Sequence, residues 1–490
     1  MISKKRMLKI LDKGDIEAIH GATLRVLQDT GVKVNSERAL RLLADAGHSV
    51  DEKSGIVRMP EPLVTEAVKS CKKNFKWHAR GEKHTVSVVN GRTKLGPGSQ
   101  CLYFIDPATN AIRPATLADG TVACRLLDAL DTASLGFIPI YPHDVPESAM
   151  SVLMWVASLV HSSKLSYGSS GDPKEFELML RIAEILLGDR EEFRKTSLFP
   201  GYIDPISPLG HDTGMTETIL RHMEWDSPVF VTVMALAGGT APASLAGLLV
   251  QQNAEVLSSI AIARCVSKIP KIIYGSVSCP LDMRSGIAAT GAPEFSLIGV
   301  GAIQLAKHYG LPSNMGVQSD SKIVDAQTTY EKTLAASMAI LAGADFSELF
   351  LGSTEAFNAF SPVQMMIDDE IASYIERVAQ GIEVSDETLS VDVIAKAGPL
   401  GNYLGQADTL KQFRRQHHRA RLSDRNTRHQ WSAAGSKDSN ERAIARMRHL
   451  LSTHVTEPLG EEVKKDFDQL LGEFTRDYTV DALEAMAKLD

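Results

Sequence analysis

Between residues 100 and 385, short apolar runs alternate with helical stretches of a dozen or more residues, and this rhythm constrains the fold more than any other feature. Runs at 101–105, 135–138, 165–167, 198–203, 229–236, 271–274, 312–315 and 346–351 are each followed by a helical pattern. Strand then helix, repeated, implies parallel strands joined by right-handed crossovers. Eight units is the number that closes a barrel. The expected fold class is therefore α/β, a TIM (β/α)8 barrel over 101–385. An N-terminal α+β cap would occupy 1–100 and a C-terminal helical region 386–490.

A doubly wound open sheet is the structural alternative. It usually brings a glycine-rich nucleotide loop, and none is found. Gly96-Pro-Gly-Ser99 and Gly352-Ser-Thr-Glu355 lack the Gly-Lys-Ser/Thr of a P-loop. Gly299-Val-Gly301 lies in a helical pattern without the third glycine of a dinucleotide fingerprint, and Gly168-Ser-Ser-Gly171 is no nucleophile elbow.

In the cap, helices are expected near 15–30, 36–46 and from Pro60 onward. Thr85-Val-Ser-Val-Val89, Asn90-Gly91 and Arg92-Thr-Lys-Leu95 read as a β-hairpin. Beyond 385 the pattern is helical only. Its basic segment, 409–428, reads as a solvated face, with docking of an acidic partner as the alternative.

A net charge of −8 argues against nucleic acid as the main partner, because phosphate needs a basic face. The five cysteines include no CxxC pair, which points to reduced thiols and a cytoplasmic setting. There is no HExxH and no paired Cys/His spacing, so no metal site is expected. The N-terminus lacks the apolar core of a signal peptide, and no run reaches the ~18 apolar residues of a membrane span.

A barrel places its chemistry at the carboxyl ends of its strands. Residues following the strand runs include Tyr103, His143 and Asp144, then Ser169, Asp204 and Ser278, then Gln318, Asp320 and Lys322, then Glu355 and Phe357. Carboxylates beside aromatic faces suit a cationic ligand. The stretch from Asn314 to Gln327 is the most polar of these turns, and Ser321 or Asp320 would cap the helix after it. A lyase or aldolase on a carboxylate substrate would need a Schiff-base lysine, for which Lys322 is the candidate.

Several stretches together resemble the trimethylamine:corrinoid methyltransferase superfamily. They are Tyr103-Phe-Ile-Asp-Pro-Ala-Thr109 with Arg113-Pro-Ala-Thr116, Pro205-Ile-Ser-Pro-Leu209, Ala237-Gly-Gly-Thr-Ala-Pro242 and Gln252-Asn-Ala-Glu-Val-Leu257. The most specific run is Gly291-Ala-Pro-Glu294, Tyr309-Gly-Leu-Pro312, Ser319-Asp-Ser-Lys322, Asp325-Ala-Gln327 and Glu331-Lys332. The resemblance covers most of the chain and also implies a TIM barrel. Founding members carry pyrrolysine, which is absent here, so the likeness is to the non-pyrrolysine branch, whose studied members include glycine betaine:corrinoid methyltransferase.

That resemblance implies transfer of an N-methyl group from a quaternary amine, glycine betaine first, with proline betaine and carnitine as alternatives. It implies no tightly bound cofactor; the methyl acceptor would be cob(I)alamin on a separate corrinoid protein, docked with help from 414–428. Candidate catalytic residues are Glu355 and Gln318. Tyr103, Phe357 and Phe360 would offer aromatic faces, and Glu355 and Asp144 anions near the cation. Gln318, His143 or Lys322 would serve a substrate carboxylate. A homo-oligomer is left open, and a non-catalytic betaine-binding protein is the rival from another class.

Overall fold

The computed structural model describes residues 8–98 and 100–487. Its centre is a curled parallel sheet of six strands: β1 (Lys94–Pro97), β2 (Gly201–Ile203), β3 (Val229–Val233), β4 (Ile272–Ser276), β5 (Ser313–Met315) and β6 (Phe346–Leu351). Their spatial order is β1-β6-β5-β4-β3-β2. Val229 pairs with Ile272 and with Gly201, and Tyr274 with Ser313, so the strands run in step. Among the described residues, isolated parallel bridges continue the sheet between β1 and β2: Leu95 with Ala133, Leu135 with Leu165 and Cys101 with Ile140.

The sheet is thus a parallel half-barrel extended by two bridge-only segments, not a ring closed throughout by backbone ladders. Pro139 lacks an N–H and cannot extend pairing at the second position. Between the third and fourth positions a side chain stands in for the ladder. Ser169 Oγ donates to Tyr202 O at 2.6 Å and accepts from Tyr202 N at 3.0 Å.

Helices fall where the apolar spacing puts them. Glu147–His161, Pro173–Leu187, Thr213–Glu224 and Pro293–Tyr309 match the expected spans. Two strand expectations are corrected. The first sheet strand is β1, upstream of residue 101, and not 101–105. Tyr103–Ile105 instead pairs antiparallel with Ile112–Pro114 and parallel with Ala359–Phe360. The hairpin over 85–95 does not form, since Val86–Ser87 pairs with Lys76–Trp77 while β1 joins β6. Lys94 misleads at this point. It is buried, its ammonium capping Val88 O at 2.6 Å and Asn90 Oδ1 at 2.9 Å, and a charged residue reads as a solvent position.

The cap is bound to the sheet domain by backbone. Val32–Val34 pairs antiparallel with Ile56–Arg58 and parallel with Gly210–His211. Gly31 enters that strand at φ 79°, and a Cβ there would stand 2.5 Å from Val57 O.

The long helix Leu245–Val266 is apolar and long enough to cross a membrane, yet 72% of its most apolar window is buried inside the fold. Its polar residues act as ties. Asn253 donates to Thr23 Oγ1 and Tyr309 Oη, and Gln252 Oε1 accepts from Ser276 Oγ. Glu255 accepts from Ser207 Oγ and Leu209 N.

C-terminal helices fold back onto the body. Arg421 and Arg446 both reach the buried Asp369, and Arg425 donates to Tyr374 Oη. Part of the basic segment is therefore spent on intrachain pairing.

Candidate functional site

The amino-terminal end of the half-barrel is plugged by the cap. Trp77 is fully buried, with its ring 5.7 Å from Phe230 and 5.6 Å from Phe346. Side chains alternate along a strand. Phe230 and Phe346 therefore put Thr232 and Glu348, two residues on, toward the same interior one layer nearer the mouth. Two close approaches fit that placement. A Cβ on Gly275 would meet Thr232 Oγ1 at 2.2 Å, and one on Gly96 would meet Glu348 Cγ at 3.6 Å.

This layer is polar. Asn314 Nδ2 donates to Glu348 Oε2 at 3.2 Å and approaches Thr232 Oγ1 at 3.5 Å. Glu348 is fully buried, and its Oε1 has no protein partner. Asp204, two residues beyond Tyr202 in β2, also has a buried, unpartnered oxygen, Oδ1. Asp204 as a residue is half-buried, with Oδ1 its buried oxygen. An unpaired buried polar oxygen is costly, so each is a candidate point of contact for a ligand group.

Burial pushes the Asp204 carboxyl up to about 7. Burial also pushes Glu348 up to about 8; the Asn314 hydrogen bond opposes this and the charge of Asp204 adds to it. No cationic side chain contributes to either shift. Aromatic rings in the register of Phe230 form the floor beneath this layer. Tyr167 stacks on Tyr202 at 5.8 Å and lies 4.3 Å from Phe137, and Tyr202 stacks on Phe230 at 6.0 Å. Two acids without a counter-cation beside tyrosine faces make a set of groups suited to a positively charged, weakly hydrated ligand.

The turn from Asn314 to Gln327 lies at the carboxyl end of β5. Much of its polarity is bracing. Asp320 accepts from Thr290 N, Thr290 Oγ1 and Gly291 N, and Asp325 caps the helix Ala326–Ala342 through Thr328 N. Glu331 reaches back to Ser319 Oγ and Asp320 N. Gln318 is fully buried and donates to Leu349 O and Ser353 Oγ, both at 2.6 Å. Lys322 is exposed and donates to its neighbour Asp320 O at 2.7 Å. Lys332 is buried and pairs with Asp368 at 2.7 Å while donating to Phe350 O.

A second loop packs on this turn. Glu355, Ala356 and Phe357 follow one another at φ 53°, 50° and 73°, which L side chains rarely adopt. The conformation is held by Glu355 N donating to Ser321 O at 3.1 Å and Ala356 N to Ser319 O at 2.9 Å. Strain of this kind persists only where the surroundings enforce it. The structure thus brings Gln318, Glu355 and Phe357 into one neighbourhood. Phe360 is fully buried and stacks on Phe104 at 6.4 Å. Tyr103 and His143 are exposed, with Leu102 O 3.1 Å from His143 Nε2. Asp144 accepts from Leu117 N at 2.8 Å, at the start of a helix.

Sequence reasoning placed Asp204 at the mouth but missed Glu348, Asn314, Thr232, Tyr167 and Tyr202. The available signal was alternation inside the strands: Glu348 is the single charged residue of the six in Phe346–Leu351. Among the described residues, no group of three or more His, Cys, Asp or Glu side chains could hold a metal ion.

Comparison with known proteins agrees with this architecture. The chain is 33% identical over 467 residues to the trimethylamine methyltransferase MttB of Desulfitobacterium hafniense, covering 95% of this chain and 94% of that one. It is 32% identical over 459 residues to the glycine betaine methyltransferase of another strain of that species, covering 93% and 94%. Among solved structures, the monomethylamine methyltransferase of Methanosarcina barkeri superposes with a TM-score of 0.52 at 12% identity, covering all of this chain and 91% of that one. The model of the trimethylamine methyltransferase (MTTB) family matches residues 1–476, and the chain belongs to that family.

Proposed function

We propose that this protein takes one methyl group from a quaternary amine, glycine betaine in the first instance, and delivers it to the Co(I) of a separate corrinoid protein. The eight strand positions are inferred to form a barrel whose mouth receives both partners. The observation that carries the reading is the pair of unpartnered carboxyl oxygens, on Asp204 and Glu348, beside the stacked Tyr167 and Tyr202. The 32% identity to a glycine betaine methyltransferase and the lack of pyrrolysine support a quaternary substrate.

The chemistry needs little from the protein by way of proton transfer. As the C–N bond breaks, its electron pair stays on nitrogen, so the leaving group is a neutral tertiary amine. The methyl carbon passes to the acceptor cobalt, which supplies the attacking electron pair. No acid is required. The chain's task is to hold the methyl in line with the acceptor and keep water out. It must not bind the cation too well, because positive charge on nitrogen fades in the transition state. Tyrosine faces give a moderate, geometry-tolerant attraction. Carboxyls that shift to about 7 and 8 by burial are only partly ionised near neutrality, which limits ground-state binding. Glu348 in its protonated form can also donate a hydrogen bond to a betaine carboxylate.

A second reading is favoured by one observation. Among the described residues no cation contributes to the shift of either carboxyl, so a quaternary amine without a carboxylate also suits the site. Proline betaine and carnitine remain alternatives within the first reading. The test mixes purified protein, Co(I)-cobalamin and a panel of betaines and carboxylate-free quaternary amines, and follows loss of the Co(I) absorbance. Turnover with glycine betaine is expected. If no quaternary amine consumes Co(I), the methyltransferase reading fails; if only carboxylate-free amines do, the second reading replaces the first.

A further inference from the structure

Among the described residues, ten large apolar side chains stand exposed between 382 and 413, including Ile382, Val384, Val391, Leu400, Leu404 and Phe413. Leu400 and Leu404 are 107% and 92% exposed. The three helices here, Asp386–Leu389, Val391–Ala397 and Ala407–Gln416, bury no residue at all. Helices shorter than ~12 residues are marginal in water and depend on packing of an apolar face. Ion pairs tie this arm together. Arg415 meets Glu383 at 2.8 Å, and Lys411 meets Glu387 at 2.9 Å. Its ion pairs lie half exposed on the surface and its apolar groups are exposed as well, which leaves the arm without a core of its own.

Position narrows the occupant. Helix Pro362–Gln380 begins beside Gly352, at the carboxyl end of β6, where Ser361 N donates to Gly352 O. It ends at the opposite side, where Glu376 meets Arg92, just before β1, at 3.1 Å. The arm leaves from Gly381, which Arg377 holds at 3.0 Å. Its root is therefore on the plugged end, away from the mouth. A methyl acceptor that must reach the mouth does not cover it. Charge narrows the occupant further. Within 382–413 Glu383, Asp386, Glu387, Asp392 and Asp408 stand against Lys396 and Lys411, and Arg414 and Arg415 follow directly after the arm. So nearly balanced a surface neither recruits a strongly charged partner nor repels a copy of itself.

We propose that residues 382–413 form the arm of a two-fold homodimer, the apolar face of each arm covered by a second copy of this chain. An isologous contact of this kind needs a self-complementary patch. Ten apolar side chains at on the order of 100 Å² each make roughly 1,000 Å², against the ~800 Å² per partner of a stable interface. The inference leans on the proposed function only to exclude the methyl acceptor, and its test reads mass rather than activity.

The experiment measures the mass of the full-length protein at micromolar concentration by sedimentation equilibrium. Twice the 53.2 kDa of one chain, or an even multiple, is expected, unchanged in 1 M NaCl. The double variant Leu400→Glu/Leu404→Glu should raise the dissociation constant at least a hundredfold without altering far-UV circular dichroism. Should that variant misfold, hydrogen exchange on the wild type decides: amides in 391–397 and 407–416 should be protected, and the protection should fall on dilution. A monomeric wild type, an assembly that the substitutions leave intact, or unprotected arm amides would each overturn the proposal. So would an intact dimer in which the substitutions abolish only binding of the corrinoid protein.

Discussion

Asn314 donates its amide to Glu348 at 3.2 Å, whereas Asp204, facing the same interior, has no donor on its buried oxygen. The two carboxyls therefore ionise in different surroundings, near 7 for Asp204 and near 8 for Glu348. A quaternary ammonium between them favours the charged forms. Affinity for the substrate cation should rise as pH increases through 7 and 8 and level off above, with protons released on binding. Calorimetry between pH 6 and 9 should give binding about tenfold weaker at pH 6 than at pH 8. A flat profile would remove both acids from the binding site.

Replacing Asn314 by leucine removes the hydrogen bond that opposes the burial effect on Glu348. The upper step of that profile should move to higher pH by about one unit, a tenfold change in the ionisation constant. The lower step, belonging to Asp204, should stay. Loss of both steps would mean that Asn314 holds the layer together rather than tuning one acid.

Asp204→Asn should separate function from stability. In the unfolded chain an aspartate titrates near 3.9, and in the fold burial lifts Asp204 to about 7. The folded state thus binds more protons in that window, and stability falls as pH rises from about 4 through 7. Asparagine carries no such penalty. The variant should be more stable than the wild type at pH 8 by on the order of a few kcal/mol and no more stable at pH 4. Its KM for the amine should rise at least tenfold. Urea unfolding at the two pH values checks the first part and Co(I) consumption the second.

How much of this was legible beforehand follows from the physics of each element. Helices such as Glu147–His161 and Pro293–Tyr309 announce themselves, because apolar spacing and flanking Pro and Gly act locally. β1 escapes a local reading because Lys94 buries its ammonium under a loop, and no local pattern distinguishes that from a solvent position. The polar turn around Ser319–Lys322 stood out for its composition, yet Asp320 and Glu331 brace neighbouring loops. Nothing local in Phe346–Leu351 marks Glu348 beyond its charge; its importance comes from the end of β2 placing Asp204 in the same interior, a relationship between residues 144 positions apart.

Lys332 and Asp368 form an ion pair with both side chains fully buried. Asp368 also accepts from Gly352 N at 2.8 Å, and Lys332 donates to Phe350 O, so the pair fixes the end of β6. Lys332→Met leaves a buried carboxylate unpaired and should cost about 3–5 kcal/mol in urea unfolding. The double variant Lys332→Met/Asp368→Leu should recover most of that loss. Equal destabilisation in both would assign the cost to packing instead.

The loop Glu355–Phe357 joins the two polar turns of the mouth, and its central residue sits at φ 50° without being glycine. A left-handed conformation costs an L residue roughly 1–2 kcal/mol, while glycine gives up ~1 kcal/mol in chain entropy. Ala356→Gly should therefore be neutral to mildly stabilising, by at most about 1 kcal/mol. Function should respond differently. The hydrogen bonds from Glu355 N to Ser321 O and Ala356 N to Ser319 O hold a strained shape that glycine no longer enforces. With Glu355 and Phe357 set less firmly, KM should rise severalfold while the melting temperature holds or increases. Parallel loss of stability and activity would mean that the strain is incidental; the opposite movement of the two would mean that the loop's shape serves the site.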